Sequence, residues 1–459
     1  MALGVGLLGS LSAAAHAVSP NASAAVATSD IRVSHDAYSA HVEPSVAINP
    51  VNPRNLLAAS QILRRASHLL GTYASVDGGA TWHDNGPLPA PRGVNFGDDV
   101  TVAFDQQGTG YIAAMMTESS SGGLSQTNRG LYVWRTVDGG RTFAAPVAVV
   151  RHQFVDHPWL AVGAGANGRA MVYVVWTTAN HVGLGFAKST DSARHFTAPR
   201  TVSTPRGGVS APVLAAGAHG AMYASFLNSP NGLDAPEADL SSTHLDAARS
   251  SASSGGAANV DVVVSHDGGA HFSPARAVGR SSNQLSPASG LAISTESSVA
   301  VDPRSGAAYV VYVAENPGGR TTNVMLARST DGGSSWRVPV TVAEGTGAAQ
   351  ALYFQPQVVV DRAGGVDASF FALSQNSVAV NLTRSSGTGA PFAELTTVTE
   401  SPFLPSLGVQ TNTTKSGAWW IGDYQGLATA QDVIYPVWND TRTGQLEIFA
   451  ASTPTTDLG

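Results

Sequence analysis

Acidic side chains recur at one kind of place in this chain, directly ahead of short apolar runs that read as β-strands. Glu43, Asp98 with Asp99, Asp156 with His157, Glu296, and Asp423 with Tyr424 all stand there, and Ser210 and Gln355 hold the matching places in two further units. Carboxylates brought together repel one another, which raises some of their pKa values and prepares one as a general acid; the same cluster can instead hold a divalent cation. Taken singly, each acid has a plainer use, accepting backbone N–H bonds that keep strands in register. Three segments add aromatic and basic groups. Residues 154–159 set Asp156, His157 and Trp159 together, a platform for a sugar with proton-transfer groups, or else a Pro-flanked packing corner. Residues 419–426 crowd Trp419, Trp420, Asp423 and Tyr424, and residues 438–442 put Asp440 two positions from Arg442, a pair that joins itself or grips a carboxylate.

The elements that must position these groups repeat. An apolar run, a turn of Gly, Pro, Asn or Asp, and a second apolar run recur at 44–60, 100–115, 159–176, 211–226, 298–312 and 357–371. A third strand then leads into an eight-residue turn and a fourth leaves it. The turn occurs five times, as Ser75, Asp77, Gly79, Trp82; Thr136, Asp138, Gly140, Phe143; Ser189, Asp191, Ala193, Phe196; Ser265, Asp267, Gly269, Phe272; and Ser329, Asp331, Gly333, Trp336. Its Asp accepts N–H bonds within the turn, Gly permits positive φ, and the aromatic folds back onto the sheet. A sixth copy, 385–392, has Gly387 where Asp belongs, and a last unit, 419–452, has no such turn.

Four strands per repeat make a propeller blade, so the expected fold is all-β: one β-propeller over 41–453, of seven blades, with six as the alternative. The last unit lacks a fourth strand, which residues 30–34 within the leader 18–40 are expected to supply, closing the ring. Propeller chemistry sits at the mouth of the central channel, on the face where first strands begin and second strands end. On that face, after the second strands, stand Arg64, Arg65, Glu118, Trp176, His181, Asn228, Glu315, Arg320, Asn439, Asp440 and Arg442.

On its five turns and their spacing, roughly 40–452 resembles the secreted sialidase-like propellers with BNR, or Asp-box, repeats. The resemblance implies boxes on the face away from the active site, serving the scaffold. It also implies retaining hydrolysis of a terminal acidic sugar, with three arginines clamping the substrate carboxylate and a tyrosine as nucleophile. Carried onto this chain, Arg64 or Arg65, Arg320 and Arg442 are the clamp, Tyr424 the nucleophile, Glu296 or Glu315 its helper, and Asp99 or Asp156 the acid; Asp423, His157, Trp159 and Trp176 complete the site. The Arg-Ile-Pro element that opens sialidase domains is absent, and Arg32 with Val33 is a poor substitute. Two other readings stand beside the exo-sialidase one. A non-catalytic propeller binding glycan or protein needs only the aromatic rim, whereas a lyase of uronic-acid polymers needs His157 or His181 beside carboxylates and a bound divalent ion.

Composition narrows the partners. The net charge is −7 with no basic run, which speaks against nucleic acid and anionic membranes, and there is no cysteine for a disulfide or a thiolate. The 49 Gly and 25 Pro among 459 residues suit short strands and tight turns. Residues 1–17 form an apolar Ala/Gly/Leu run ending Ala15-His16-Ala17, the pattern of a signal peptide, so a secreted or extracytoplasmic monomer is expected, without a membrane span. No cofactor is called for beyond that possible cation. Residues 229–258 are an insertion in the fourth blade, rich in Ser, Ala and Gly, and read as a loop or lid.

Overall fold

The computed structural model describes Met1 and residues 29–458, except 65–67, 118–128, 166–168, 230–256, 283, 286–289, 318–320, 346–350, 388 and 408–418. The signal-like segment, nearly all of the insertion, and Arg65, Glu118 and Arg320 therefore lie outside the described residues.

Six four-stranded antiparallel sheets and a seventh, in which a short fifth strand, Thr453–Pro454, joins the four, make the blades of a β-propeller. Consecutive strands pair within each blade, and apolar side chains of alternating strand positions fill the space between neighbouring blades. Between the first two blades, for example, Leu57, Leu70, Ile112, Ala114 and Trp134 form one buried cluster. Each large side chain in such a cluster contributes about 2 kcal/mol. Among the described residues no helix is long and apolar enough to cross a membrane.

The ring closes as the sequence predicts. In the last blade Gly426–Ala430, Val433–Asp440 and Glu447–Ala450 are joined by Ile31–Arg32, which pairs Ile31 with Ala450 and Arg32 with Phe449. Charged groups hold this strand from both ends. Arg32 pairs with the buried Glu447 at 2.6 Å, Ser34 donates to the same carboxylate, and Arg442 joins Asp30 at 2.5 Å to Asp440 at 2.6 Å.

The five eight-residue turns share one hydrogen-bond pattern. In the first, the Ser75 hydroxyl donates to Asp77 at 2.8 Å and accepts the Gly79 N–H at 2.9 Å, while Asp77 accepts the Thr81 N–H at 2.9 Å. Every copy repeats the hydroxyl-to-Asp bond, at 2.8 or 2.9 Å. Each turn ends a third strand, so strand alternation places it at the end of the ring opposite to where first strands begin. Gly269 also lets its turn dock on the preceding blade, since a Cβ there would come within 2.3 Å of Phe186. In the sixth blade Ser385, facing Gly387 instead of Asp, donates to the Ala390 carbonyl at 2.9 Å.

One expectation needs correcting. Glu43, Asp98, Asp99, Asp156 and His157 do not precede their strands but lie within them, in His41–Ile48, Phe96–Phe104 and Asp156–Ala164. These strands, with Ser210–Ala216 and Leu352–Val360, each contain a β-bulge where the register shifts. At the five bulges Glu43, Asp99, His157, Ala211 and Gln355 adopt positive φ of 56°, 38°, 46°, 49° and 49°. Pro44, Pro158, Pro212 and Pro356 follow four of them, and a residue without an N–H suits a broken ladder. A non-glycine residue at positive φ costs about 1–3 kcal/mol and persists only where its surroundings fix it, most often at functional sites.

Candidate functional site

The bulges turn side chains from successive blades inward at the channel mouth. Six carboxyl groups, of Glu43, Asp98, Asp99, Asp156, Glu296 and Asp423, line one cavity of about 50 Å³, together with His157, Ser210, Gln61, His68 and Trp420. Five different blades supply these acids. Among the described residues no arginine lines it.

Hydrogen bonds fix the acids individually. Glu296 meets the His157 Nε2 at 2.9 Å, and Asp99 accepts the His157 backbone N–H at 3.0 Å. Glu43 accepts the Asp423 N–H at 3.2 Å, and Asp423 accepts the Trp420 indole N–H at 3.0 Å. Asp156 pairs with the fully buried Arg129 at 3.1 Å, and that guanidinium lies 4.4 Å from the Phe154 ring centre. Below the acids, the His157 imidazole and the Trp159 indole stack at 5.8 Å with an interplanar angle of 8°, and Tyr424 meets both edge-on.

The two environments separate the acids chemically. Burial, with Glu296 beside it, pushes Asp423 up to about 8 against the opposing indole bond. Burial and the neighbouring Asp99 hold Glu43 well above the usual carboxylate range. Burial alone would lower His157, but the charge and hydrogen bond of Glu296 outweigh it and raise the imidazole to about 9. Near pH 7 the protonated forms of Asp423 and of the His157 imidazole are thus both favoured.

Of the residues singled out in the sequence, Glu43, Asp98, Asp99, Asp156, His157, Ser210, Glu296, Trp420 and Asp423 meet at this cavity, with Trp159 stacked against His157. The others do different things. Tyr424 is 1% exposed, and its hydroxyl accepts the Val100 N–H at 2.9 Å and donates to the Val100 carbonyl at 3.2 Å. Burial, with Glu43 nearby, pushes this phenol well above its ordinary range. Arg64 is exposed and lies over the Tyr38 ring at 5.4 Å, Arg442 is held by Asp30 and Asp440, and Trp176 is buried against Gly185. Gln61, His68 and Arg129 belong to the site or brace it, and the acid pattern alone did not select them. Gln61 ends a second strand just before Arg64, so following alternation back along Leu56–Ile62 would have found it.

No family model matches the chain, and neither does any curated protein sequence. Solved structures resemble it at low identity. A protein of unknown function from Dyadobacter fermentans is 12% identical, with 92% of this chain and 97% of that one covered and a TM-score of 0.47. A GH93 α-L-arabinofuranosidase of Fusarium graminearum, in complex with arabinobiose, is 12% identical over 94% and 98% of the two chains, with a TM-score of 0.49. A sialidase from Streptococcus pneumoniae is 9% identical over 74% of this chain and 66% of its own, with a TM-score of 0.47.

Proposed function

We propose that this protein is a propeller glycoside hydrolase that works with paired carboxyl groups on an uncharged terminal sugar. The observation that carries the reading is the convergence of six carboxyls from five blades on one cavity beside a stacked imidazole and indole. Asp423, held by the neutral indole N–H of Trp420, is suited to protonate the leaving oxygen. Glu296, held by His157, is suited to act as the carboxylate partner, as nucleophile or as base toward water. Trp159 stacks on the His157 ring and packs against the blade cores, which holds the imidazole toward the cavity. Asp156 pairs with Arg129 and shapes the wall.

The exo-sialidase form of the reading asks for more: a free tyrosine hydroxyl and a converging arginine clamp. Tyr424 is bonded to the Val100 backbone and Arg442 to Asp30 and Asp440, and an anionic sugar would face six carboxyls. The geometry therefore favours carboxyl chemistry over tyrosine chemistry, and a neutral sugar over an acidic one. Export, expected from residues 1–17, would bring the enzyme to extracellular glycans. The test is a panel of chromogenic neutral glycosides and a sialoside offered to the purified protein. Release from at least one neutral glycoside is expected. Release from the sialoside alone, lost in Tyr424→Phe, would restore the sialidase form, and glycan retention without any release would leave a binding propeller.

A further inference from the structure

We propose that the Glu43, Asp98 and Asp99 side of the cavity is a calcium site. One oxygen from each of these carboxylates lies within 4.8 Å of the other two. Calcium accepts carboxylates and side-chain carbonyls in a flexible geometry, whereas magnesium demands near-ideal octahedral geometry and gives up its water reluctantly, so a set of protein carboxylates with an amide oxygen beside it suits the larger ion.

One oxygen from outside the acidic cluster points to a ligand, and one within it is left open. Gln61 lines the same cavity, is 1% exposed, and its side-chain oxygen has no hydrogen-bond partner. Glu43 is 2% exposed, and with Oε1 on the Asp423 N–H its Oε2 likewise has none. Buried acceptors left without a partner are costly, and a cation in the cavity both residues line is the kind of group that satisfies them. The Gln61 amide nitrogen contacts the His68 Nδ1 at 2.9 Å, which turns its oxygen the other way and leaves the His68 proton on Nε2. His68 is then a donor at that edge and not a ligand. The donor set is all oxygen, the chemistry of a hard cation, and excludes the nitrogen and sulfur ligands that select zinc or copper.

Charge gives the same answer. Six carboxyls share the cavity with His157, and Arg129 pairs with Asp156. A divalent ion held by three of them offsets part of the excess, and it leaves Asp423 and Glu296 to their own partners. The turn aspartates at the other end of the ring form no comparable site, because their oxygens are filled by hydroxyls and N–H groups of the same turn.

The site shares a cavity with the proposed catalytic carboxyls but does not rest on them, since metal uptake is read apart from hydrolysis. Full-length protein, stripped with chelator and dialysed, is titrated calorimetrically with calcium chloride and with magnesium chloride. One calcium per chain is expected, with at least tenfold weaker magnesium binding. Glu43→Gln and Asp98→Asn should each weaken calcium at least tenfold, Gln61→Leu less, and Asp77→Asn not at all; circular dichroism checks that each variant is folded. No heat at millimolar calcium from folded protein, or uptake unchanged in both Glu43→Gln and Asp98→Asn, would overturn the proposal.

Discussion

The two ends of the propeller are built from similar polar residues used in opposite ways. At the far end, Asp77 and its four counterparts each accept bonds from their own turn, so every copy is complete within eight residues. At the channel mouth, equivalent bulge positions carry Glu43, Asp99, His157, Ala211 and Gln355, five residue types at one backbone conformation. Their partners come from other blades, as when His157 meets Glu296 across 139 residues. A structural device repeats because each blade needs the same thing; a site differs from blade to blade because its parts have different tasks. The ring supplies the seven-fold frame, and the exceptions to its symmetry mark where chemistry belongs.

Substitutions that separate the two ends sharpen this contrast. The largest effect is expected for Glu296→Gln, which should slow hydrolysis of a neutral glycoside by about 10²–10⁴-fold, the usual contribution of a positioned acid–base group. Steady-state kinetics reads it, and a change confined to KM would reassign Glu296 to binding. Arg442→Ala comes next. It strands the buried carboxylates of Asp30 and Asp440 and loosens the closing strand, so urea unfolding should show a loss of about 3–5 kcal/mol with kcat unaltered. Were Arg442 a substrate clamp, KM would rise instead and the unfolding curve would stay in place.

Smaller effects belong to the far end. Asp77→Ala removes bonds to the Thr81 N–H and hydroxyl in a half-exposed turn, a loss of about 1 kcal/mol with no change in kinetics. The turn carboxylates also set the acid limb of stability. Hydrogen bonds from Ser335 hold Asp331 down to about 2, and Asp77 and Asp138 are lowered by their threonine partners even though partial burial acts the other way. Since these folded values lie below the unfolded value near 4, their contribution is complete above about pH 4 and is lost as pH falls through the folded values. Thermal melts should therefore drop at the acid end, below about pH 4, and replacing the turn aspartates with asparagine should flatten that drop.

Much of this was legible in the sequence because it is local or periodic. The turns announce themselves through Ser75, Asp77 and Gly79 and their counterparts, and the missing fourth strand of the last blade pointed to residues 30–34. The acids could be assigned to one mouth by counting strands. The bulges were not read, although Pro44, Pro158, Pro212 and Pro356 recur one residue after their positive-φ positions. What spacing could not reveal were pairings between distant segments. Arg442 looked available for a substrate until Asp30, 412 residues away, closed on it. Tyr424 looked like a nucleophile until the Val100 backbone, 324 residues away, took up its hydroxyl. Arg129, at the start of a third strand, bore no mark of its bond to Asp156.

The division between a working mouth and a supporting far end is tested most directly by a crossed comparison of Asp423→Asn and Asp77→Asn, each measured for turnover of a neutral glycoside and for melting temperature. Turnover should collapse in Asp423→Asn while its melting temperature holds or rises, and turnover should persist in Asp77→Asn while its melting temperature falls. Undiminished turnover in folded Asp423→Asn protein would contradict the account.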